Sequence, residues 1–253
     1  WVAVSPVLID AVRAALGAAE RTGGLVDPTL GLSLVSMGYD RDLAQVQARD
    51  AGGAGSPASL PPIPPRSGAW REVQLDEDGA LLVPFGTALD LGATGKAFAA
   101  DRISAAIAQE IGTGCILSLG GDVAVGVAAD GEHPWQVSVS ERPDGEVEQT
   151  LTLPRGGAAT STTEHRTWTH GGRAVHHVLD PATGLPVQRT WRTATVLADS
   201  CLEANAATTA ALVLGERAPA WLTDRRFSAR LVARDGTLCV LGDWPHRSRE
   251  GHL

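Results

Sequence analysis

The sequence predicts a mixed α/β fold of the α+β kind, with β-strands gathered in the middle of the chain and helices between groups of strands. The strand prediction rests on short segments that alternate apolar and polar residues or form apolar runs rich in Val, Ile and Thr. These segments cover residues 115–119, 123–127, 135–139, 149–153, 174–179 and 193–198. No repeat of about 20–50 residues is visible, so we expect residues 1–253 to form a single domain.

The charge balance and the cysteine content exclude several classes of protein. The chain has 21 Lys and Arg against 29 Asp and Glu, a net charge of −8 and a pI near 5.3, whereas nucleic-acid binding requires a basic surface. No uncharged apolar stretch approaches the roughly 18 residues of a membrane span. The three cysteines are far apart and indicate neither a disulfide framework nor a zinc knuckle. We therefore expect no nucleic-acid partner and no membrane span in this chain.

The first elements are indicated by capping and turn residues. Ser5-Pro6 before an apolar helical pattern predicts an N-capped helix with proline in its first turn, ending at Gly23-Gly24. Residues 51–68 are rich in Gly, Pro and Ser and predict a loop inside the domain. Residues 70–75 and 80–84 predict two strands around an Asp-Gly turn.

Helical spacing predicts the later helices. One covers residues 94–111 and ends at Gly112, and four-residue spacing gives it a single apolar stripe: Ala99, Ile103, Ile107 and Ile111. A second covers residues 204–214 and ends at Gly215. The remaining predictions are a weaker helix over 217–226 and two strands, 229–233 and 237–241, around an Asp-Gly turn.

The only lysine of the chain lies at a predicted strand-to-helix junction. The segment LDLGATGKAFAAD (89–101) places Asp90, two glycines and Lys96 there. A helix N-terminus carries free N–H groups and a partial positive charge, so this junction suits an anion. It is not a Walker A loop, which needs Gly at position 90 and Ser or Thr at position 97. An ordinary glycine-containing turn remains the alternative reading.

Other candidate residues carry weaker signals. Gly120, Gly121 and Asp122 close a predicted strand where the backbone turns sharply or approaches a partner. Ser161 follows a predicted strand end, but no GxSxG motif surrounds it, which argues against a serine hydrolase.

Four of the seven histidines lie within residues 165–177, without the spacing or nearby cysteines of a common zinc site. His176 and His177 would face opposite sides of a strand, so we expect one to face a site and the other to pack or meet solvent. Asn205 and Thr209 share one helix face, where their oxygens suit Mg²⁺; capping or solvent contact is the alternative.

Seven motifs in order resemble the ApbE family of FAD:protein FMN transferases. They are GLVDPTLG (24–31), LDLGATGKAFAADR (89–102), SLGGDVAVG (118–126), ATS (159–161), HHVLDPATGLPV (176–187), TATV (193–196) and ANAATTAALVLG (204–215). The resemblance implies a fold related to the T-fold, FAD as donor and Mg²⁺ as cofactor. It also implies transfer of FMN to a threonine of an acceptor protein, with release of AMP.

The resemblance also implies roles for individual residues. The carbonyl of Ala93 with Asn205 and Thr209 would hold the metal. Because imidazole titrates near neutrality, His177 could take the proton of the acceptor hydroxyl, and a hydrogen bond that only orients the hydroxyl is equally compatible. The residues implied on the flavin nucleotide are Asp90, Lys96, Gly120, Gly121, Asp122, Ser161, His177, Leu179 and Asp180.

The chain departs from the family pattern in two ways. Asn205 stands where family members usually have Asp, so a negative charge is missing from the implied metal site. Glu203 could supply that charge only if the helix begins after it, because two residues are about 200° apart around a helix. The family also has an N-terminal segment before the first helix, and this chain starts at Trp1.

Two other functions remain open from the sequence. One is an FAD-binding protein without transfer activity, and the other is an FAD pyrophosphatase that yields free FMN and AMP. Family members are often extracytoplasmic or lipid-anchored, but no targeting segment is present in this chain, so the sequence leaves the compartment open, the cytoplasm included.

Overall fold

A six-stranded antiparallel sheet forms the centre of the fold. The computed structural model describes residues 1–51, 63–76, 78–141 and 145–245. The strand order is β13-β12-β11-β8-β5-β4, and every neighbouring pair is antiparallel. The strands are β4 (Cys115–Leu119), β5 (Asp122–Gly126), β8 (Gly156–Thr162), β11 (Trp191–Ala198), β12 (Ser228–Ala233) and β13 (Leu238–Leu241).

Two helices rich in small residues cover one face of this sheet. α4 (Gly95–Ile111) packs on β4 and β5, and α5 (Cys201–Leu214) packs on β8 and β11. The approach of α5 is close, since a Cβ at Gly157 would lie 2.3 Å from the Cys201 backbone nitrogen. α6 (Ala218–Asp224) extends the core under α5.

The opposite face of the sheet is covered by a hairpin of β6 (Trp135–Val139) and β7 (Gln149–Leu153). Val137 and Leu153 of this hairpin pack against Val123 and Ala158 of the large sheet. The central strands are therefore buried on both faces, as their continuous apolar character indicates.

The N-terminal part and one further hairpin complete the fold. α1 (Pro6–Arg21) packs against a small sheet in the order β1-β3-β2. A hairpin of β9 and β10 lies against α3 through Trp168, whose indole N–H donates to the Met37 carbonyl at 2.7 Å. The bounds are β1 (Val2–Ala3), α2 (Gly31–Ser36), α3 (Leu43–Ala51), β2 (Gln74–Leu75), β3 (Ala80–Leu82), β9 (Thr167–His170) and β10 (Arg173–His176).

The structure confirms the predicted fold class and many of the elements. α1 is capped by the Ser5 hydroxyl, which accepts from the Leu8 N–H, and α4 ends at Gly112, whose φ is 72°. Within the predicted 51–68 loop, residues 63–68 contain no helix or strand, Ala51 ends α3, and residues 52–62 lie outside the described part. No helix among the described residues has both the length and the apolar character to cross a membrane.

The predicted apolar face of α4 is wrong. Ile103, Ile107 and Ile111 are 42%, 39% and 56% exposed. The helix instead buries its small side chains, which are Ala97, Ala100, Ser104 and Ala108. The reason is the close approach of β5, because a Cβ at Gly126 would lie 2.2 Å from the Ser104 carbonyl oxygen. An isoleucine does not fit into so narrow a space.

Three element boundaries also differ from the prediction. Half of the predicted 70–75 strand lies in a 3-10 helix (Ala69–Glu72), in which N–H groups bond to carbonyls three residues earlier, and only Gln74–Leu75 is a strand. The predicted 174–179 strand ends at His176, where pairing with β9 stops. In place of the predicted 217–226 helix, the structure has a 3-10 turn (Gly215–Arg217) followed by α6.

Candidate functional site

One cavity of about 780 Å³ brings together nearly all the predicted site residues. It lies where the N-terminus of α4, the turn before β5, the end of β8 and one face of α5 meet. The predicted residues that line it are Asp90, Ala93, Lys96, Gly120, Gly121, Asp122, Ser161, His177, Leu179, Asn205 and Thr209.

Asp180 does not line this cavity, although the resemblance places it on the nucleotide. Its carboxylate accepts a hydrogen bond from the Ala182 N–H at 2.8 Å, and its carbonyl accepts from Gly184. Asp180 therefore holds the turn that follows Leu179, and its contact with the nucleotide stays a prediction.

A buried carboxylate joins the two helices at the cavity wall. Asp122 is 2% exposed. Lys96 Nζ lies 2.5 Å from its Oδ2, and Asn205 Nδ2 donates to its Oδ1 at 2.8 Å. Lys96 also reaches the carbonyls of Leu119 and Gly120, at 3.4 and 3.5 Å. The lysine of α4 and the asparagine of α5 thus share one acidic partner.

The beginning of α5 excludes the proposed role of Glu203. The helix starts at Cys201 and is capped by the Ser200 hydroxyl, which accepts from the Glu203 N–H at 3.1 Å. Glu203 therefore lies inside the helix, about 200° around its axis from Asn205. The condition under which Glu203 could supply the missing charge beside Asn205, a helix that begins after it, is not met.

A second carboxylate ties the same two helices together. Asp101 of α4 accepts hydrogen bonds from the N–H groups of Cys201 and Leu202, at 2.8 and 2.9 Å. These are unpaired donors of the first turn of α5, which a carboxylate stabilises. Burial raises the pKa of Asp101, and the two backbone donors oppose that rise. The cap fixes where α5 begins relative to α4.

The two adjacent histidines have different surroundings. His176 is 2% exposed, and its Nε2 lies 3.1 Å from the Val187 carbonyl. His177 lines the cavity and has a buried Nδ1 without a hydrogen-bond partner among the described residues. Burial, followed by the charge of Arg166, lowers the pKa of His177 to about 4. His177 is therefore neutral at physiological pH.

Ser161 lines the cavity but is already engaged in a hydrogen bond. Its hydroxyl lies 2.7 Å from that of Thr208, which in turn donates to the Asn205 carbonyl at 2.8 Å. This chain of contacts connects β8 to the turn of α5 that carries Asn205. Ser161 thus contributes to the position of α5 as well as to the cavity wall.

The sequence reasoning missed Arg166. Arg166 lines the cavity, and its charge acts on His177. In the described ranges, no carboxylate forms an ion pair with it. The available signal was its position between the ATS motif and the histidine pair, in a short polar segment. With Lys96, Arg166 gives the cavity two cationic side chains that can meet an anion.

The donor set around α5 fits a hard cation. Because the amide nitrogen of Asn205 faces Asp122, its oxygen is left for another partner. Thr209 lies one helical turn further on the same face, and Ala93 is in the loop that precedes α4. Amide, hydroxyl and carbonyl oxygens are ligands that Mg²⁺ accepts. The described residues contain no group of three or more His, Cys, Asp or Glu that could hold a metal.

The chain is similar to proteins named as flavin transferases. The ApbE family profile matches residues 1–231. The FAD:protein FMN transferase of Klebsiella pneumoniae is 26% identical over 240 residues, which are 92% of this chain and 67% of that protein. The Salmonella typhimurium enzyme of the same name is 28% identical over 220 residues, 84% of this chain and 60% of that protein. The chain thus spans about two thirds of these relatives' length.

Solved structures share the fold. The ApbE protein of Thermotoga maritima superposes with a TM-score of 0.75 at 24% identity, over 96% of this chain and 78% of that one. The apo flavinyl transferase ApbE of Pseudomonas stutzeri gives a TM-score of 0.69 at 21% identity, over 94% and 74%. The match to the family profile covers most of the sequence, and the fold agrees with it. This chain belongs to the ApbE family.

Proposed function

We propose that this chain is a Mg²⁺-dependent FAD:protein FMN transferase, which moves FMN from FAD to a threonine of an acceptor protein and releases AMP. The observation that supports this most is that Lys96, Arg166, His177 and the Asn205/Thr209 face all meet at one cavity. Cationic groups and oxygen donors for a metal suit the pyrophosphate of FAD, since phosphoryl transfer depends mainly on positioning and on neutralising charge.

The reaction exchanges the phosphoanhydride bond of FAD for a phosphoester bond to the acceptor. The acceptor hydroxyl oxygen attacks the phosphorus on the FMN side of the pyrophosphate, and the bond from that phosphorus to the oxygen bridging to AMP breaks. The electron pair leaves with AMP, and the hydroxyl proton is lost. Bound Mg²⁺ would supply positive charge to the phosphate oxygens, held by the Ala93 carbonyl, Asn205 and Thr209.

The side chains of this protein have distinct tasks in that scheme. Lys96, anchored on Asp122, places its ammonium at the N-terminus of α4, where the free N–H groups also favour an anion. Neutral His177 accepts the hydrogen bond of the acceptor hydroxyl, which orients it; full removal of the proton by the same ring is compatible with this position. Arg166 adds a second cation beside His177.

Incubation with FAD and Mg²⁺ in the presence of synthetic threonine peptides tests the proposal. A transferase releases AMP and adds the mass of FMN, less one water, to a peptide. Free FMN with AMP instead indicates a pyrophosphatase, and intact bound FAD indicates a binding protein. His177→Gln should retain FAD binding and lose peptide labelling. The matched control is His133→Gln, which removes a surface histidine paired with Asp130 outside the cavity.

A further inference from the structure

Asp122 is placed to act through its neighbours rather than on a ligand. It is 2% exposed, and each carboxylate oxygen has a partner, Lys96 Nζ on one and Asn205 Nδ2 on the other. The resemblance implies a contact between Asp122 and the nucleotide. Asp122 belongs to the cavity wall, but its negative charge would repel a pyrophosphate and both of its carboxylate oxygens already have partners.

The hydrogen bond to Asp122 determines which end of the Asn205 amide faces the cavity. An ionised carboxylate only accepts hydrogen bonds, so the amide nitrogen must be the atom that faces Asp122. The amide oxygen, on the other branch of the Asn205 side chain, then faces away from Asp122. Asn205 therefore offers an acceptor, and not a donor, on the side of α5 that it shares with Thr209.

The same carboxylate holds Lys96. The Nζ atom is 2.5 Å from Asp122 Oδ2 but 3.4 and 3.5 Å from the carbonyls of Leu119 and Gly120. Asp122 is thus the nearest of these three partners, and the one with a full charge. Without it, the lysine side chain, which is 39% exposed, would be free to leave this position.

We propose that Asp122 is a positioning residue, which turns the Asn205 amide oxygen toward the cation site and holds Lys96 beside it. This inference rests on the proposed Mg²⁺-dependent transfer and adds a residue that does not itself touch FAD or the metal. It also explains how an uncharged Asn205 serves at this position. The negative charge lies one hydrogen bond behind it, on Asp122.

Exchange of Asp122 and Asn205 tests whether the direction of the hydrogen bond between them matters. In Asp122→Asn, the single amide oxygen is expected to accept from the charged Lys96 ammonium, which turns the new N–H₂ group toward Asn205. The Asn205 amide then has to turn as well and present its own N–H₂ group to the cation. In the double variant Asp122→Asn/Asn205→Asp, the new amide donates to the new carboxylate and its oxygen still accepts from Lys96. Both contacts are then restored, and only the hydrogen bond between residues 122 and 205 has its polarity reversed.

Mg²⁺ binding measured by calorimetry in the presence of FAD gives the readout, with folding followed by circular dichroism. We expect Asp122→Asn to weaken Mg²⁺ binding by about 10- to 100-fold, as loss of a group supporting a metal ligand does. The double variant should recover most of this loss. Asp130→Asn, the same change at a surface carboxylate outside the cavity, should bind Mg²⁺ like the original chain.

Two results would overturn the inference. One is unchanged Mg²⁺ affinity in Asp122→Asn, and the other is a double variant that folds but binds no better than Asp122→Asn. If Asp122→Asn fails to fold, the double variant alone decides, since the inference requires it to fold and to bind Mg²⁺. No Mg²⁺ binding by the original chain with FAD would overturn the proposed function itself, a result distinct from the other two.

Discussion

Replacement of Lys96 by methionine should cost both stability and FAD affinity. Methionine keeps the apolar stem of the side chain but removes the ammonium that lies 2.5 Å from Asp122. Asp122 then remains buried with Asn205 as its remaining partner in the described ranges. A helix N-terminus is not itself stabilised by a cation, so the loss comes from the carboxylate that is left behind.

The magnitude follows from the burial of the two partners. Removing one member of a fully buried ion pair costs about 3–5 kcal/mol. Lys96 is 39% exposed, so water can replace part of its contact with Asp122. We therefore expect a loss of about 1–3 kcal/mol in the free energy of unfolding, or roughly 2–12 °C in Tm for a chain of this size. FAD affinity should fall by roughly 10- to 150-fold, the equivalent of one charge-assisted hydrogen bond.

Thermal unfolding and FAD titration of three variants measure these effects. Lys96→Met/Asp122→Asn should recover part of the lost stability, because no charge is then left unpaired, but should not recover FAD affinity. Arg102→Met is the control on the same helix, since its ion pair with Asp10 is exposed and screened by water. An unchanged Tm in Lys96→Met would refute the energetic reasoning. Lower Tm with intact FAD affinity would show that Lys96 is structural only.

Four further predictions concern other residues of the site. The pKa of His177 is lowered from 6.5 to about 4 in the folded protein, so the native ring stays neutral at pH values where the same ring in the unfolded chain takes up a proton. The free energy of unfolding should therefore decline as pH falls from about 6.5 towards 4. His177→Gln should flatten this slope in Tm measured against pH. Arg166→Ala should weaken FAD binding about tenfold but leave riboflavin binding unchanged, with Arg166→Lys intermediate; equal effects on both ligands in calorimetry would contradict an anion contact. Asp101→Ala should cost about 0.5–2 kcal/mol in urea unfolding through the lost cap, and Asp101→Asn less; no change in either would mean that the cap is energetically neutral. Asn205→Asp places a second carboxylate against Asp122, so the Tm of this variant should drop without a cation and rise on addition of Mg²⁺. A Tm that does not respond to Mg²⁺ would argue against a metal at this position.

Local signals in the sequence were sufficient for much of the fold. The Ser5 cap and the Gly112 stop depend on residues within a few positions of the helix end, so the sequence carries them directly. The site motifs were also recognisable, and all but one of the predicted residues line the cavity. Their roles as ligands or catalytic groups stay predictions.

What the sequence did not show depends on contacts between distant segments. The apolar stripe of Ile103 and Ile107 satisfies helical spacing, yet the space beside β5 admits only small residues, and that is a property of the packed pair. The bond between Asn205 and Asp122 joins residues 83 positions apart. Asp180 belongs to a motif that the resemblance places on the nucleotide, and its carboxylate accepts a hydrogen bond from the Ala182 N–H within its own turn.

The Asp101 cap couples the unfolding of the first turn of α5 to α4. Breaking the first turn of α5 would release two backbone donors and also free a partly buried carboxylate of α4, so fraying of one helix is coupled to loss of a contact in the other. A ligand that bridges Lys96 and Asn205 therefore binds to two helices whose relative position is already fixed. Little conformational entropy remains to be lost when that ligand binds, and more of its interaction energy appears as affinity.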